Sequence, residues 1–286
     1  MLDVREQSST LIHPFAYVHP RAEIGVDTEI GPFSYIGEHV KIGAGCKIHN
    51  NVTIKGHTTL GDNNEIYSNA VLGSNPQDLK FEGEICYLEI GNSNIIRENV
   101  TIHVGTQNGG SYTKIGHHNL FMACCHIAHD CHLGSHIVLS NNVLLGGHIH
   151  CEDSVVIGGS AALHHFVSIG EMAFIGGLSR IVQDVPPYML VEGNPSRIRS
   201  YNRVALERKG LSHEDIQGIK EAHRLLFHSE IPQSHVIEEL LQSGKLTRYT
   251  KHLIEFLQRS SSGKLGRSND TRRYAKDSSD SSDSSK

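Results

Sequence analysis

The chain lacks what a membrane protein, a secreted protein or a nucleic-acid binder would carry. No apolar run approaches the roughly 18 residues of a membrane span. The N-terminus has no charged-then-apolar signal segment, so a cytoplasmic location is the expectation. Six cysteines (46, 86, 124, 125, 131 and 151) form no CxxC pair. Zinc and disulfides are therefore not expected, and most of these thiols read as small core side chains. A formal charge of −5 argues against nucleic acid as the main partner. Histidine is the opposite case, with 21 residues in a chain of 286, a length that allows one long domain and a smaller one.

What is present is a six-residue period running from about Ile12 to Pro186. From Ile24 the hexads read IGVDTE, IGPFSY, IGEHVK, IGAGCK, IHNNVT, IKGHTT, LGDNNE and IYSNAV. The first position is Ile or Leu, often followed by Gly; the fifth is usually small or β-branched (Thr28, Ser34, Val40, Cys46, Val52, Thr58, Ala70). Neither the three-and-four spacing of a helix nor the alternation of a two-sided strand fits. Fixed self-similarity signals a stacked repeat. Three hexads would make one triangular turn, with first-position aliphatics stacked inward and rungs about 4.8 Å apart. Glycines are expected at the corners, where positive φ suits a residue without Cβ.

Val185-Pro186-Pro187 is expected to end the repeat, since consecutive prolines cannot donate to a ladder. From about Pro195 to Gln258 the pattern reads as helical. Ser212 followed by Asp215 resembles an N-cap, and Ile216, Ile219, Ala222, His223 and Leu226 line one face. Further helices are predicted from Ser234 through Leu241 and from Arg248 to Gln258. The boundaries are thus 1–190 for the coil, 191–260 for the helical domain and 261–286 for a polar, Ser/Asp-rich disordered tail.

The repeat is interrupted twice, at about 73–89 (NPQDLKFEGE) and 103–114 (VGTQNGGSYTK). Long excursions from a regular scaffold more often carry function than not. A lone histidine on a rung is ordinarily a polar surface position; His117, His118, His132, His136 and His150 read that way. His129, His148 and His164, however, each advance by almost one turn of the coil, with His126 beside the same corner. Imidazole near neutral pKa suits a general base. Asp130 can orient His129 only in a corner conformation, because neighbours on a strand point apart.

QDLK (77–80), RENVTIH (97–103), HIAHDC (126–131), GGHIHCED (146–153), LHHF (163–166) and QDVPPY (183–188) together resemble the UDP-N-acetylglucosamine acyltransferases of lipid A synthesis. The similarity runs from Ile12 to about Arg259, collinear, with both insertions in place. It implies a mainly β protein: a left-handed parallel β-helix of hexapeptide repeats with a C-terminal α-helical domain. The handedness comes from the resemblance, since crossover rules alone favour the right-handed form. It implies transfer of a long fatty acyl group from acyl carrier protein to the sugar 3-hydroxyl, with no cofactor or metal, by a cytoplasmic homotrimer.

Carried onto this sequence, the resemblance makes His129 the base, Asp130 its orienter and the Gly147 amide the oxyanion donor. Gln77, Asp78, Lys80 and His126 would position the glucosamine. His103, His148, His164 and His165 would line the sugar and acyl path, and Asn202 and Arg208 would grip the nucleotide. Four arginines and Lys209 between 197 and 209, against Glu207 alone, read either as a solvated face or as a landing site for an acidic carrier. His165, Val104, Val204 and Lys209 depart from the family pattern. Gly177, where a large family residue would stop the acyl chain, lies beyond His129 by roughly 13 Å of rung stacking, or on the order of 10 carbons. A glycine there predicts a longer chain, about 14 carbons at the same rung spacing. A related N-acyltransferase is disfavoured because the repeats already begin at Ile12, with no preceding uridine-binding domain. A γ-class carbonic anhydrase, with metal held by prism histidines, and a silent scaffold are the competing functions.

Overall fold

The computed structural model describes residues 10–244, 246–264, 266–268 and 270. They fall into two compact units, one ending at His148 and one beginning at Ile149. The coil-to-helix boundary drawn at 190 from sequence therefore falls inside the second unit.

In the first unit the hexads form short strands, mostly of two residues, each paired in parallel with the strand one turn on. Glu29–Ile30 pairs with Lys47–Ile48, Tyr35–Ile36 with Thr53–Ile54, and Lys41–Ile42 with His57–Leu60. Three parallel sheets, each taking every third strand, make this a parallel β-helix. The first-position aliphatics point inward: Ile30, Ile36, Ile48, Ile54, Leu60 and Ile66 are all buried. Each contributes about 1.5–3 kcal/mol by leaving water. Fifth-position polar groups are buried as well and satisfy one another across rungs. Asn64 Oδ1 accepts from the Asn94 amide at 2.9 Å, and Asn94 Oδ1 from the Asn119 amide at 3.0 Å. Of the six cysteines, Cys124 is exposed and the other five are buried; all are free thiols.

The glycines do a different job from the one expected. The corners with positive φ are held mostly by Asp27, Phe33, Asn51, Asn63, Asn69 and their equivalents, with φ from 56° to 63°. Asn and Asp tolerate this conformation through local hydrogen bonds. The second-position glycines instead lie under the next rung. A Cβ on Gly31 would meet the His49 carbonyl carbon at 2.9 Å, and one on Gly43 the Gly61 carbonyl carbon at 2.6 Å. Close rung stacking, rather than backbone handedness, selects glycine there.

The two insertions appear as changes of register. In the regular coil a residue pairs with its equivalent three hexads on, as Glu29 does with Lys47. Across the insertions the partner lies further along the chain: Glu65 pairs with Ile95 and Thr101 with His126. The insertions are tied to each other. Val104 N donates to Ser74 O (3.1 Å), Gly105 N to Tyr87 O (3.2 Å) and Gln107 N to Glu84 Oε1 (3.3 Å). On the surface His118 and His136 stack at 5.1 Å, as a ladder of polar rung positions should.

In the second unit Val156–Ile157, Ala162–Leu163 and His150–Cys151 pair with Phe174–Ile175, Arg180–Ile181 and Ser168–Ile169. The prolines do not end the ladder: Leu190 and Val191 pair in parallel with Phe174 and Ile175 after the turn through Tyr188. Residues 195–201 are not helical either. Met189–Gly193 and Ser196–Tyr201 form an antiparallel hairpin, because the β-rich MLVEG segment offers a free edge beside them. The helices α1 (Arg203–Arg208), α2 (His213–His228), α3 (Gln233–Gln242) and α4 (Arg248–Ser261) follow among the described residues. Ser212 caps α2 by accepting from Asp215 N at 3.1 Å, and Ile219, Ala222, His223 and Leu226 are its buried face. Of the tail expected from 261, residues 265, 269 and 271–286 lie outside the described set. Among the described residues no helix is long and apolar enough to cross a membrane.

A charged clamp holds α4 to the coil. His252 Nε2 is 3.0 Å from Glu152 Oε2, its Nδ1 is 2.6 Å from the Tyr188 hydroxyl, and Arg259 donates to Glu152 Oε1 at 3.1 Å. The hydrogen bond to Glu152 raises the His252 pKa above its ordinary 6.5 despite burial. For Glu152 burial pushes upward, but His252 and its other partners outweigh it and the pKa falls below 4.5. The raised histidine contributes stability fully below 6.5, lost as pH rises through its folded pKa. The lowered carboxylate contributes above 4.5, lost as pH falls through its folded pKa. Between those two values both contributions are present. His252→Gln should therefore lower the melting temperature by about 2–4 °C at pH 5.5, and the gap should shrink at pH 9. Scanning calorimetry across pH reads this directly; a gap that widens with pH would contradict it.

Candidate active site

The strand His126–Ile127 delivers the chain to a corner occupied by His129 and Asp130. Asp130 takes φ +59°, and this left-handed turn brings its carboxylate back against the preceding imidazole. His129 Nδ1 lies 2.7 Å from Asp130 Oδ2. The pairing that neighbours on a strand cannot make is made at the corner.

The second insertion encloses the carboxylate. Thr106 donates to it twice, from its amide to Oδ1 at 2.8 Å and from its hydroxyl to Oδ2 at 2.7 Å. Thr113 Oγ1 accepts from the Asp130 amide at 2.9 Å. Gly109 packs so closely that a Cβ would overlap the carboxylate. Burial pushes the Asp130 pKa up, but the hydrogen bonds from His129 and Thr106 outweigh it, and the group stays below the usual carboxylate range. An anion that is 1% exposed is stable only because its acceptor sites are filled. Because a carboxylate accepts, His129 Nδ1 carries the hydrogen and the neutral ring leaves Nε2 as its basic atom.

Further residues stand around this ring. The His148 ring meets it edge-on at 5.1 Å, with Nε2 3.8 Å from Asp130 Oδ2. Gly147 packs over its face: a Cβ would lie 2.7 Å from His129 Cε1, so the close approach requires glycine. His126 meets His103 at 4.8 Å and bonds Thr101 Oγ1 through Nδ1 at 2.7 Å. Burial, then the proximity of His126, His129 and Lys55, lowers the His103 pKa to about 4, so it stays neutral. Its Nδ1 is buried with no hydrogen-bond partner among the described residues. An orphaned buried nitrogen beside this histidine–aspartate pair is a ready site for a ligand hydrogen bond.

In the first insertion Asp78 shapes a turn, accepting from Lys80 N at 3.0 Å through its side chain and from Phe81 N at 3.1 Å through its carbonyl. Gln77 and Lys80 are exposed there. In the second unit His164 and His165 sit together at a corner, ring centroids 3.8 Å apart. Asn202 is already at work in the fold: its side-chain oxygen caps α1 by accepting from Ala205 N (3.2 Å), and its Nδ2 donates to Met172 O (2.8 Å). Arg208, in the last turn of α1, and Gly177 are exposed. Within the basic stretch Arg203 pairs with Glu207 at 2.6 Å and Arg199 with Glu192 at 3.4 Å, while Arg197, Arg208 and Lys209 are exposed. Among the described residues, two groups bring three metal-ligating atoms within 4.8 Å: His129, Asp130 and His148, and His164, His165 and Asp270.

Sequence reading missed Thr106, Thr113 and Gly109. The adjacent Gly109-Gly110 in an insertion beside a histidine-rich corner was the available signal, since a tight loop without Cβ atoms is built for close approach.

Comparison with known proteins bears on the family. The family model described as UDP-N-acetylglucosamine O-acyltransferase, domain 2, matches residues 184–265, and the bacterial transferase hexapeptide model matches 21–56 and 39–74. The acyl-[acyl-carrier-protein]–UDP-N-acetylglucosamine O-acyltransferase of Myxococcus xanthus is 44% identical over 252 residues, 88% of this chain and 98% of that protein. The protein of the same name from Synechocystis is 45% identical over 201 residues, 70% of this chain and 72% of its own length. The solved structure of LpxA from Acinetobacter baumannii superposes with a TM-score of 0.84 at 43% identity, covering 87% of this chain and 97% of that one. These matches favour the O-acyltransferase over a carbonic anhydrase or an N-acyltransferase. The chain belongs to the acyl-[acyl-carrier-protein]–UDP-N-acetylglucosamine O-acyltransferase family.

Proposed function

We propose that the chain transfers a long fatty acyl group from acyl carrier protein to the 3-hydroxyl of UDP-N-acetylglucosamine, the first step of lipid A biosynthesis, with His129 as general base. The observation that carries this is the 2.7 Å bond from His129 Nδ1 to a buried, anionic Asp130. It leaves Nε2 to take the hydroxyl proton while the oxygen attacks the thioester carbon. Negative charge then builds on the carbonyl oxygen, where the Gly147 amide is the proposed donor. Collapse expels the pantetheine thiolate, which takes the proton back from the imidazolium. Asp130 stabilises that cation and remains ionised throughout.

His103 and His126 are the proposed sugar contacts beside this pair, with Gln77, Asp78 and Lys80 on the first insertion and His148 lining the path. His164, His165, Asn202 and Arg208 are the proposed substrate contacts of the second unit. Arg suits the nucleotide phosphates through its planar fork, and the exposed Arg197, Arg208 and Lys209 offer an acidic carrier a landing surface. Gly177, beside the exposed Leu178, is the proposed determinant of chain length. A homotrimer and a cytoplasmic location, where acyl carrier protein supplies donors, belong to the same reading. Exposed Leu11, Phe15, Tyr17, Phe33 and Tyr35 on the first coils are the kind of surface a neighbouring copy covers.

Incubation with UDP-N-acetylglucosamine and a panel of acyl carrier protein thioesters, followed by mass spectrometry, tests donor, acceptor and chain length together. The expected product is an O-acylated sugar nucleotide, formed fastest from a donor of about 14 carbons, as judged from rung spacing. Preference for a donor of about 10 carbons in competition, the depth of Gly177 by the same spacing, would remove that residue from its assigned role. No acylated nucleotide with any donor would defeat the function itself.

A further inference from the structure

The described residues beyond α4 return to the coil of the second unit and close on one corner. Arg267 N donates to Asp184 Oδ1 at 3.1 Å, and Ser260 Oγ donates to Oδ2 of the same carboxylate. The Arg267 guanidinium then spans three acceptors: Val182 O (3.3 Å) from Nε, and His165 O (3.1 Å) and Asp270 Oδ2 (2.5 Å) from Nη1. Asp270 is buried, and its Oδ2 is also 3.3 Å from His165 Nε2. His164 Nδ1 lies 3.3 Å from the same His165 carbonyl that Arg267 holds. The matched acyltransferase region ends at residue 265, so Arg267 and Asp270 lie outside it.

These contacts determine which ring nitrogens carry hydrogen. A carbonyl oxygen only accepts, so His164 Nδ1 is the donor and its Nε2 is left as an acceptor. A carboxylate oxygen only accepts, so His165 Nε2 is the donor and its Nδ1 is left as an acceptor. Burial, then the neighbouring His164, lowers the His165 pKa below its ordinary value, in keeping with a neutral ring. His164, His165 and Asp270 also have the spacing of a metal-ligand set. The Arg267 guanidinium, however, places a fixed positive charge on the carboxylate and disfavours a cation there.

We propose that Arg267 and Asp270 are positioning residues that fix the tautomers of His164 and His165, so that this corner presents two acceptor nitrogens to hydroxyl or amide N–H groups of the sugar substrate. The assignment rests on the function proposed above. It makes the corner a reader of neutral donor groups rather than of phosphate, which carries acceptors only.

The test uses the full chain labelled with [15N]histidine, with His164→Gln and His165→Gln for assignment and Arg267→Ala and Asp270→Ala as the probes. Nitrogen shifts should show His164 protonated at Nδ1 and His165 at Nε2, with Arg267→Ala moving His164 toward the Nε2–H form. In steady-state kinetics both probes should raise KM for UDP-N-acetylglucosamine about three- to tenfold, the worth of a lost or misdirected hydrogen bond. kcat should stay within about twofold, and Arg267→Lys should restore part of the loss. A wild-type His164 protonated at Nε2 overturns the proposal. So does a lowered melting temperature in both probes with KM unchanged, which marks the latch as structural only. If the alanine variants do not fold, the wild-type tautomers and Arg267→Lys decide. Absence of any acyl transfer by the wild type fails the proposed function instead, and the tautomer measurement is then read alone.

Discussion

Replacing His129 with alanine should lower kcat/KM about a thousandfold, within the range attributed to a positioned general base. The effect should fall on kcat, since the lost proton transfer belongs to the transition state. Folding should survive. The ring is only partly buried, and Asp130 would keep both hydrogen bonds from Thr106, so no buried anion is orphaned. Unchanged melting with collapsed turnover separates a catalytic role from a structural one. Retained transfer would mean that another group serves as base. His148 is the nearest candidate for that, with its Nε2 3.8 Å from the same carboxylate. His126 is less well placed to serve, because Thr101 occupies its Nδ1 and both burial and His129 lower its pKa.

The coil was legible because its physics is local and repeats. An aliphatic every sixth residue leaves one stacking solution, and the same count placed His129 and His148 on neighbouring turns, where their rings meet. What the period could not show was the role of its glycines, since close rung contact and positive φ both favour residues without Cβ. Nor could it show the hairpin at 189–201, whose strand character comes from pairing across a turn rather than from its own pattern. The site was half legible. The HIAHD motif pointed to His129 and Asp130, but their pairing depends on a φ of +59° at Asp130. The two donors from Thr106 depend on a loop that sequence marked only as an interruption. Arg267 and Asp270 fell in the segment that composition alone read as a disordered tail, yet both make specific hydrogen bonds.

Asp130→Asn should be nearly as damaging as loss of the base, lowering kcat about a hundred- to a thousandfold, although it changes one atom. The asparagine amide must meet three donors: the Thr106 amide, the Thr106 hydroxyl and His129 Nδ1–H. Its oxygen can take the place of Oδ1 against the Thr106 amide, and the NH2 group then faces the other two. A hydroxyl can rotate to accept, but Nδ1–H cannot. The imidazole must therefore shift its hydrogen to Nε2, which removes the lone pair that would take the substrate proton. The reverse flip leaves NH2 against the Thr106 amide, two donors face to face in a buried pocket, at a desolvation cost of about 1–3 kcal/mol. The first orientation removes the basic Nε2, and the second keeps it only at that cost and without the negative charge that stabilises the imidazolium. Steady-state kinetics should show kcat lost with KM for the nucleotide little changed, and [15N]histidine shifts should report the changed tautomer of His129. Near-normal kcat in the Asp130→Asn variant would mean that the carboxylate serves the fold rather than the imidazole. Asp130→Glu would then be the more harmful substitution, because the pocket closed by Gly109 has no room for an added methylene.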